Sequence, residues 1–259
     1  MRLGELEILP VLDGAMDVPV DVMLNQVPHA RWLTSEGLMP VQMGGYLVKS
    51  GARVILVDTG FGQGTLLASL AGLGVQPAQV TDVVLTHLHF DHIGWTSDGT
   101  TSTFPSATYR CDVRDWQHFV VEEHDEYMRD LVGAMTPKDR LMPVVGQLEL
   151  FEDDTALAPG VDLRAAPGHT PGSTVVVLSS GTDRAMLLGD VVHCPAEMMS
   201  QDWEMLADVD PHAAARTREA LAKEIEGSGT LVGAAHFPGL RMGRLLSSGS
   251  GERDWAYQS

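Results

Sequence analysis

The run Thr86-His87-Leu88-His89-Phe90-Asp91-His92 places three imidazoles and a carboxylate within six residues. The apolar Val83-Val84-Leu85 precedes it, and Ile93-Gly94-Trp95 follows. A short β-rich run that breaks off into polar residues reads as a buried strand delivering a loop. Open α/β sheets gather their sites at the carboxyl ends of such strands. Neutral imidazole and carboxylate suit zinc, with Zn–N near ~2.0–2.1 Å and Zn–O near ~2.0–2.2 Å. Four donors this close along the chain crowd one tetrahedral ion. His87 and His89 are therefore read as serving one metal, and Asp91 and His92 a second.

The plain alternative is a polar surface loop, because the chain holds ten histidines and isolated ones mean little. His29, His118, His124 and His212 fit solvent or helix-surface positions and receive no role. Three further residues set the cluster apart. His169 lies in the tight turn Pro167-Gly168-His169-Thr170-Pro171-Gly172, ahead of the strand-like Ser173–Leu178. Asp190 ends the apolar run Ala185–Gly189, and His236 ends Thr230–Ala235. Each sits where a buried strand gives way to a loop, the context that turns a motif into a site.

With Asp58 in Val57-Asp58-Thr59-Gly60, these residues resemble the metallo-β-lactamase superfamily of metallohydrolases. An Asp after a strand, H-x-H-x-D-H, a His, an Asp and a His occur in that order across most of the 259 residues. The resemblance implies an α/β fold, a four-layer αββα sandwich. It implies two Zn2+, with other divalent transition metals as substitutes. His87, His89 and His169 would hold one ion and Asp91, His92 and His236 the other, with Asp190 bridging and Asp58 supporting the loop. A bridging hydroxide would be the nucleophile, with Asp91 both ligand and hydrogen-bond partner to it. The carboxylate at 190 separates the chain from typical family β-lactamases and brings it nearer to lactonases, thioesterases and phosphotriesterases. The segment H-L-H-F-D-H is similar to acyl-homoserine lactonases. Those often carry a Tyr three residues after the bridging Asp, where this chain has His193, a departure that puts the lactonase assignment in question. Gly189–His193 with His236-Phe237-Pro238 also resembles the methyl parathion hydrolase branch. His193 is read as an oxyanion donor or as a structural histidine, since imidazole serves either way. Cys194 is read as a buried, inert thiol.

Composition narrows the substrate. A formal net charge of −18 repels nucleic acid and anionic membranes. No Lys/Arg cluster lies near the motifs to clamp a carboxylate; Arg241 and Arg244 come nearest. The Met- and Trp-rich stretches 15–40 and 195–205 suit an adaptable apolar wall. The expected activity is hydrolysis of a neutral or apolar ester-like bond, a lactone first. An aryl phosphotriester or ester comes next and a β-lactam after it. A mononuclear iron dioxygenase and a non-catalytic metal-binding effector are the readings from other classes. The expected partner is a small-molecule ester or lactone, with no nucleic acid and no membrane; a homodimer is compatible with the sequence. Two cysteines, no long apolar stretch and no signal-like start give a cytoplasmic protein as the default.

The length fits a single domain over residues 1–259. Residues 3–12 are expected as an edge strand ending at Asp13-Gly14, and 15–40 as a packed irregular segment or a lid. A strand pair is expected around Lys49-Ser50-Gly51. A helix capped by Thr65 follows, then a longer one over 112–132 with Trp116, Phe119 and Tyr127 buried and Glu122, Glu123, Asp125 and Glu126 solvated. No pattern is assigned to 133–146. Strands are expected near 147–151, 161–165, 174–178 and 185–188. A helix starts at Asp210-Pro211 with the buried stripe Ala214, Leu221 and Ile225 and ends at Gly227. The tail beyond Ser247 is expected to be loose.

Overall fold

The structure, a computed structural model, describes residues 1–124, 129, 132–200, 203–247 and 252–258. Among these residues two seven-stranded sheets form, each with its strands in chain order. The first holds β1 (Arg2–Leu3), β2 (Leu6–Val18), β3 (Met39–Ser50), β4 (Arg53–Val57), β5 (Asp82–Val84), β6 (Thr108–Asp112) and β7 (Leu148–Phe151). The second holds β8 (Thr155–Ala158), β9 (Val161–Ala165), β10 (Thr174–Ser180), β11 (Asp183–Leu187), β12 (Leu231–Gly233), β13 (Gly243–Ser247) and β14 (Arg253–Tyr257). Neighbours are antiparallel except β4–β7 and the pair β11–β12.

Parallel neighbours need a crossover that returns over a sheet face. The helix α1 (Leu66–Gly72) lies between β4 and β5, and the helical turns of 113–121 between β6 and β7. The helix Pro211–Ile225 lies between β11 and β12. Both sheet faces are therefore covered, which is why the central strands read as nearly continuous apolar runs. Alternation sorts their side chains all the same. Tyr46, Val48, Ile55, Val57 and Val84 meet Val176, Leu178, Ala185 and Leu187 between the sheets. Leu47, Leu56 and Val83 face outward with Leu66 and Leu70 of α1, while Val175, Val177 and Met186 face outward with Leu221 and Ile225. This is the αββα sandwich.

Several local expectations are corrected. The edge strand is β1, and β2 runs on past Asp13-Gly14 through a register shift between Leu12 and Gly14. Asp13 is no simple turn residue. Its carboxylate accepts from the N–H groups of Phe61 (2.7 Å), Gly62 (3.1 Å) and Leu66 (2.9 Å) and from Trp95 Nε1 (2.9 Å). It thereby satisfies the N-terminus expected to be capped by Thr65, whose side chain makes no cap bond. The β3–β4 turn is at Gly51, with φ of 57°, because β3 extends to Ser50. Of segment 15–40, residues 15–18 and 39–40 are the paired ends of β2 and β3, and 19–38 lies between them as packed chain with two short helical turns. Val20, Leu24, Trp32 and Met39 are buried with Trp203 and Met205.

The helix expected over 112–132 is described only as Val113–Asp115 followed by a π-helical turn, Trp116–Val121. Trp116 and Phe119 pack on the core as expected; Tyr127, Asp125 and Glu126 lie outside the described residues. The patternless 133–146 contains a helix, Pro137–Leu141, capped by Thr136. β7 closes the first sheet rather than opening the second half, and β8 was unforeseen. The tail also pairs, as β14, with Trp255 buried at 5 % exposure.

Candidate metal centre

The motif loop leaves β5 and is fixed by Asp58, which ends β4 with a φ of 60°. Its Oδ1 accepts from Thr86 N–H (2.8 Å) and its Oδ2 from the Thr86 hydroxyl (2.8 Å). The same Oδ2 lies 3.0 Å from His92 Nδ1. A carboxylate on one ring nitrogen fixes the tautomer and frees the other as a ligand. The supporting role expected of Asp58 is thus visible as geometry.

Three ring nitrogens converge. His87 Nε2 and His169 Nε2 each lie 3.0 Å from His89 Nδ1. Bonds of ~2.05 Å to a tetrahedral ion would space its donors about 3.3 Å apart. One Nδ1 makes one hydrogen bond in its ring plane, so convergence of three nitrogens is the geometry of a cation site. A second group forms beside it. Asp91 Oδ2 is 3.8 Å from His92 Nε2 and 3.6 Å from His236 Nε2. Asp190 lies between the two groups. Its Oδ1 is 3.2 Å from His92 Nε2, and its Oδ2 is 2.9 Å from His236 Nε2, 3.7 Å from His169 Nε2 and 3.9 Å from His87 Nε2. The structure brings all seven expected donors together.

These residues fit a divalent metal pair. His92 Nε2 and Asp190 Oδ1 are buried without a hydrogen-bond partner. Such atoms are costly unless something else satisfies them. The nitrogen and carboxylate set matches zinc or a similar transition ion. Burial, with neighbouring imidazoles, holds His87 and His89 well below the usual histidine range, so both stay in the neutral, ligating form. Burial also acts against a charged His92, but Asp190, Asp91 and Asp58 outweigh it and hold its pKa well above that range.

His193 sits inside this cluster rather than at the surface. It is 3 % exposed, its Nε2 is 3.1 Å from Asp190 Oδ2, and its ring stacks on His236 at 5.5 Å and 8°. Burial opposes its charge, but Asp190 and Glu197 push its pKa up to about 10. Cys194 is buried, and desolvation pushes its thiol up to about 12, which makes it the poor nucleophile expected. His118, Glu122 and His124 also come together, at the surface. The two rings stack at 4.1 Å and 18°, so their in-plane lone pairs do not converge.

Most of the supports leave no mark in the sequence. Asp208 Oδ1 lies 2.9 Å from His169 Nδ1, and His236 Nδ1 lies 2.8 Å from the carbonyl oxygen of Gln42. The fully buried Asp115 accepts from Leu88 N–H (3.1 Å), the Thr170 hydroxyl (2.9 Å) and Gly172 N–H (2.6 Å). It ties the motif loop to the His169 loop. No local motif marks any of the three, because each acts on a partner 27 or more residues away in the chain. Arg218 carried the one available signal: a charge on the stripe of Ala214, Leu221 and Ile225, all buried.

The family model described as the metallo-beta-lactamase superfamily matches residues 45–236. A mouse protein named metallo-beta-lactamase domain-containing protein 1 is 31 % identical over 220 residues, covering 80 % of this chain and 72 % of that protein. Its human namesake is 32 % identical over 170 residues, and the match spans about half, 52 %, of that protein's length and 64 % of this chain. An N-acyl homoserine lactonase of Bacillus cereus is 25 % identical over 191 residues, covering 64 % of this chain and 70 % of the lactonase. Among solved structures, AidC, a dizinc quorum-quenching lactonase in complex with a product, superposes with a TM-score of 0.81 at 23 % identity, covering 100 % of this chain and 96 % of that one. The fold agrees throughout.

Proposed function

From the premise that this chain belongs to the metallo-β-lactamase superfamily and is a metal-dependent hydrolase, we propose that it is a dinuclear zinc enzyme that opens lactones. The whole of residues 1–259 would act as a single domain. The observation that carries this reading is Asp190, whose carboxylate stands within 3.9 Å of imidazoles from both donor groups. Two bound ions supply a nucleophile near neutral pH and polarise the substrate's carbonyl oxygen. His87, His89 and His169 would hold one, Asp91, His92 and His236 the other, and Asp190 both.

The chain's own side chains do the rest. Asp91, with 18 % side-chain exposure, is more open than Asp190 at 5 %. It would take a proton as the ester bond is attacked. His193 would donate from Nε2, which lies 3.1 Å from Asp190 Oδ2, to the oxygen on which negative charge develops. Phe61 and Phe90, half-buried and edge to face at 5.7 Å, would offer an apolar surface at the motif loop.

A neutral substrate follows from where the cations are. The Arg241 guanidinium lies 4.5 Å over the ring of Tyr257, and Arg244 donates to the Gly229 carbonyl. Neither is free to clamp a carboxylate. The charge of −18 further disfavours polyanions. The lactonase relative supports a lactone over the phosphotriester. The membrane and nucleic-acid exclusions rest on the same charge, and no helix among the described residues is long and apolar enough to cross a membrane. The test is kcat/KM across acyl-homoserine lactones, aryl esters, a paraoxon-like triester, a glutathione thioester and a cephalosporin. The lactones should lead; preference for the last two would overturn the substrate reading. Elemental analysis should give two metal equivalents, and one tightly held iron would overturn the dinuclear one.

A further inference from the structure

One guanidinium lies behind the second-sheet half of the site. Arg218, 4 % exposed, sits on the buried stripe of the helix Pro211–Ile225. Its Nη1 donates to Glu197 Oε1 (3.0 Å) and to the Val191 carbonyl (3.2 Å), and its Nη2 donates to the Trp203 carbonyl (3.1 Å). The same Nη2 is 3.9 Å from Asp208 Oδ2. Three of these four contacts lead to the site within one step. Asp208 holds His169 Nδ1 through its other oxygen. Glu197 Oε2 accepts from the N–H groups of His193 (2.6 Å) and Cys194 (2.7 Å), and its Oε1 is 3.7 Å from His193 Nδ1. Val191 follows Asp190 directly in the chain.

Two carboxylates this deeply buried, Glu197 at 1 % and Asp208 at 8 % exposure, need a counter-charge. A planar fork can donate to Glu197 and two carbonyls while its charge faces Asp208 Oδ2 at 3.9 Å, beyond hydrogen-bond distance, where an ammonium serves as a single point. We propose that Arg218 is a positioning residue that sets His169 through Asp208 and His193 through Glu197, holding three separate loops in one register. The His193 arm rests on the donor role proposed above; the His169 arm does not.

The experiment is chelator competition on the metal-loaded protein, with kcat on a lactone read in parallel. Arg218→Met should release its first metal equivalent at 10–100-fold lower chelator demand, the usual cost of losing a ligand's outer support. Arg218→Lys should fall between it and wild type. Asp208→Asn should reproduce the metal effect, and Glu197→Gln should lower kcat while leaving metal release alone. The control is Arg253→Met. Arg253 pairs with Glu219 and Glu226 on or beside the same helix, 2.7 and 2.9 Å away, and donates to the Met198 carbonyl (3.3 Å), but among the described residues it is bonded to no metal donor and not to His193, Glu197 or Asp208. It should lower the melting temperature and leave metal release unchanged. Folded Arg218→Met with wild-type metal release would overturn the proposal, as would an equal metal effect from Arg253→Met. If Arg218→Met does not fold, Arg218→Lys and Asp208→Asn decide on the same readout. Unchanged kcat in Glu197→Gln would remove the His193 arm while leaving the His169 arm standing.

Discussion

The two halves of the site meet within a few ångströms but are built differently. The half on the first sheet takes His87, His89, Asp91 and His92 from one loop after β5, and its nearest support, Asp58, ends the neighbouring strand β4. The half on the second sheet takes His169, Asp190, His193 and His236 from three loops. Their supports come from β3, from 197–208 and from a helix. In the first half the spacing of the chain does most of the positioning. In the second, long-range contacts must do it, and buried charge is the means: Asp208, Glu197 and Arg218 are each under 9 % exposed. Compact motifs are cheap to hold in place, whereas dispersed ligands require a scaffold of their own.

The largest effect should come from the residue that joins the halves. Asp190→Ala removes the carboxylate that His92, His193 and His236 all approach within 3.2 Å. At least one metal equivalent should be lost on elemental analysis, with kcat/KM falling by more than ~10²-fold, beyond the range for outer supports. Asp91→Asn should instead hurt turnover more than folding, measured with the metals loaded. Two full equivalents in Asp190→Ala would mean that the halves hold their ions independently.

His193 sharpens the contrast, because it belongs to the second half yet is assigned to substrate. His193→Ala should lower kcat by ~10²-fold, the scale of losing one donor to a developing oxyanion. Steady-state kinetics with a metal assay would check it. A lower melting temperature with unchanged kcat would return it to a structural role.

A smaller effect is expected from the first half's own support. Asp58→Asn keeps the shape but weakens the acceptor on His92 Nδ1, so metal affinity should fall ~10-fold, at the low end for such partners. Competition with a chromophoric chelator measures it. A loss as large as that from Asp208→Asn would remove the asymmetry between the halves.

The same asymmetry decided what could be read from the sequence. His87, His89, Asp91 and His92 lie within one loop, so their spacing brought them forward, and Asp58, after a recognisable strand, came with the family resemblance. Asp190 and His236 were legible because each closes an apolar run, and His169 because it sits in a tight Gly/Pro turn ahead of one. Asp208, Asp115 and Gln42 were not. Each acts on a partner 27 or more residues away, and nothing in a one-dimensional pattern distinguishes such an acid from a solvated one. The fold followed the same logic. Long central strands were visible, whereas β1, β8 and β14, short or partly exposed edge elements, carry too little apolar pattern to stand out. The 112–132 stretch reads as one helix because apolar residues recur along it, yet after Asp115 the backbone winds into a π-turn.

The smallest effect tests the link across the halves. Asp115 joins Leu88 of the motif loop to Thr170 and Gly172 of the His169 loop. Burial raises its pKa from 3.8 to about 7, against the lowering by its three donors. The folded chain then binds this proton more tightly than the unfolded chain does. Where the native state holds the extra proton, stability decreases as pH rises. The contribution is therefore full below about pH 4 and is lost as pH climbs through about 7, the reverse of an ion-paired acid. Asp115→Asn carries no titrating proton and should flatten this slope. Urea midpoints for wild type and variant at constant metal loading, from pH 4.5 to 7.5, give the difference directly. The wild-type curve should fall relative to the variant's as pH rises. Parallel curves would mean that Asp115 stays ionised, with its three donors outweighing burial. The bridge between the two loops would then be a fixed carboxylate at every working pH.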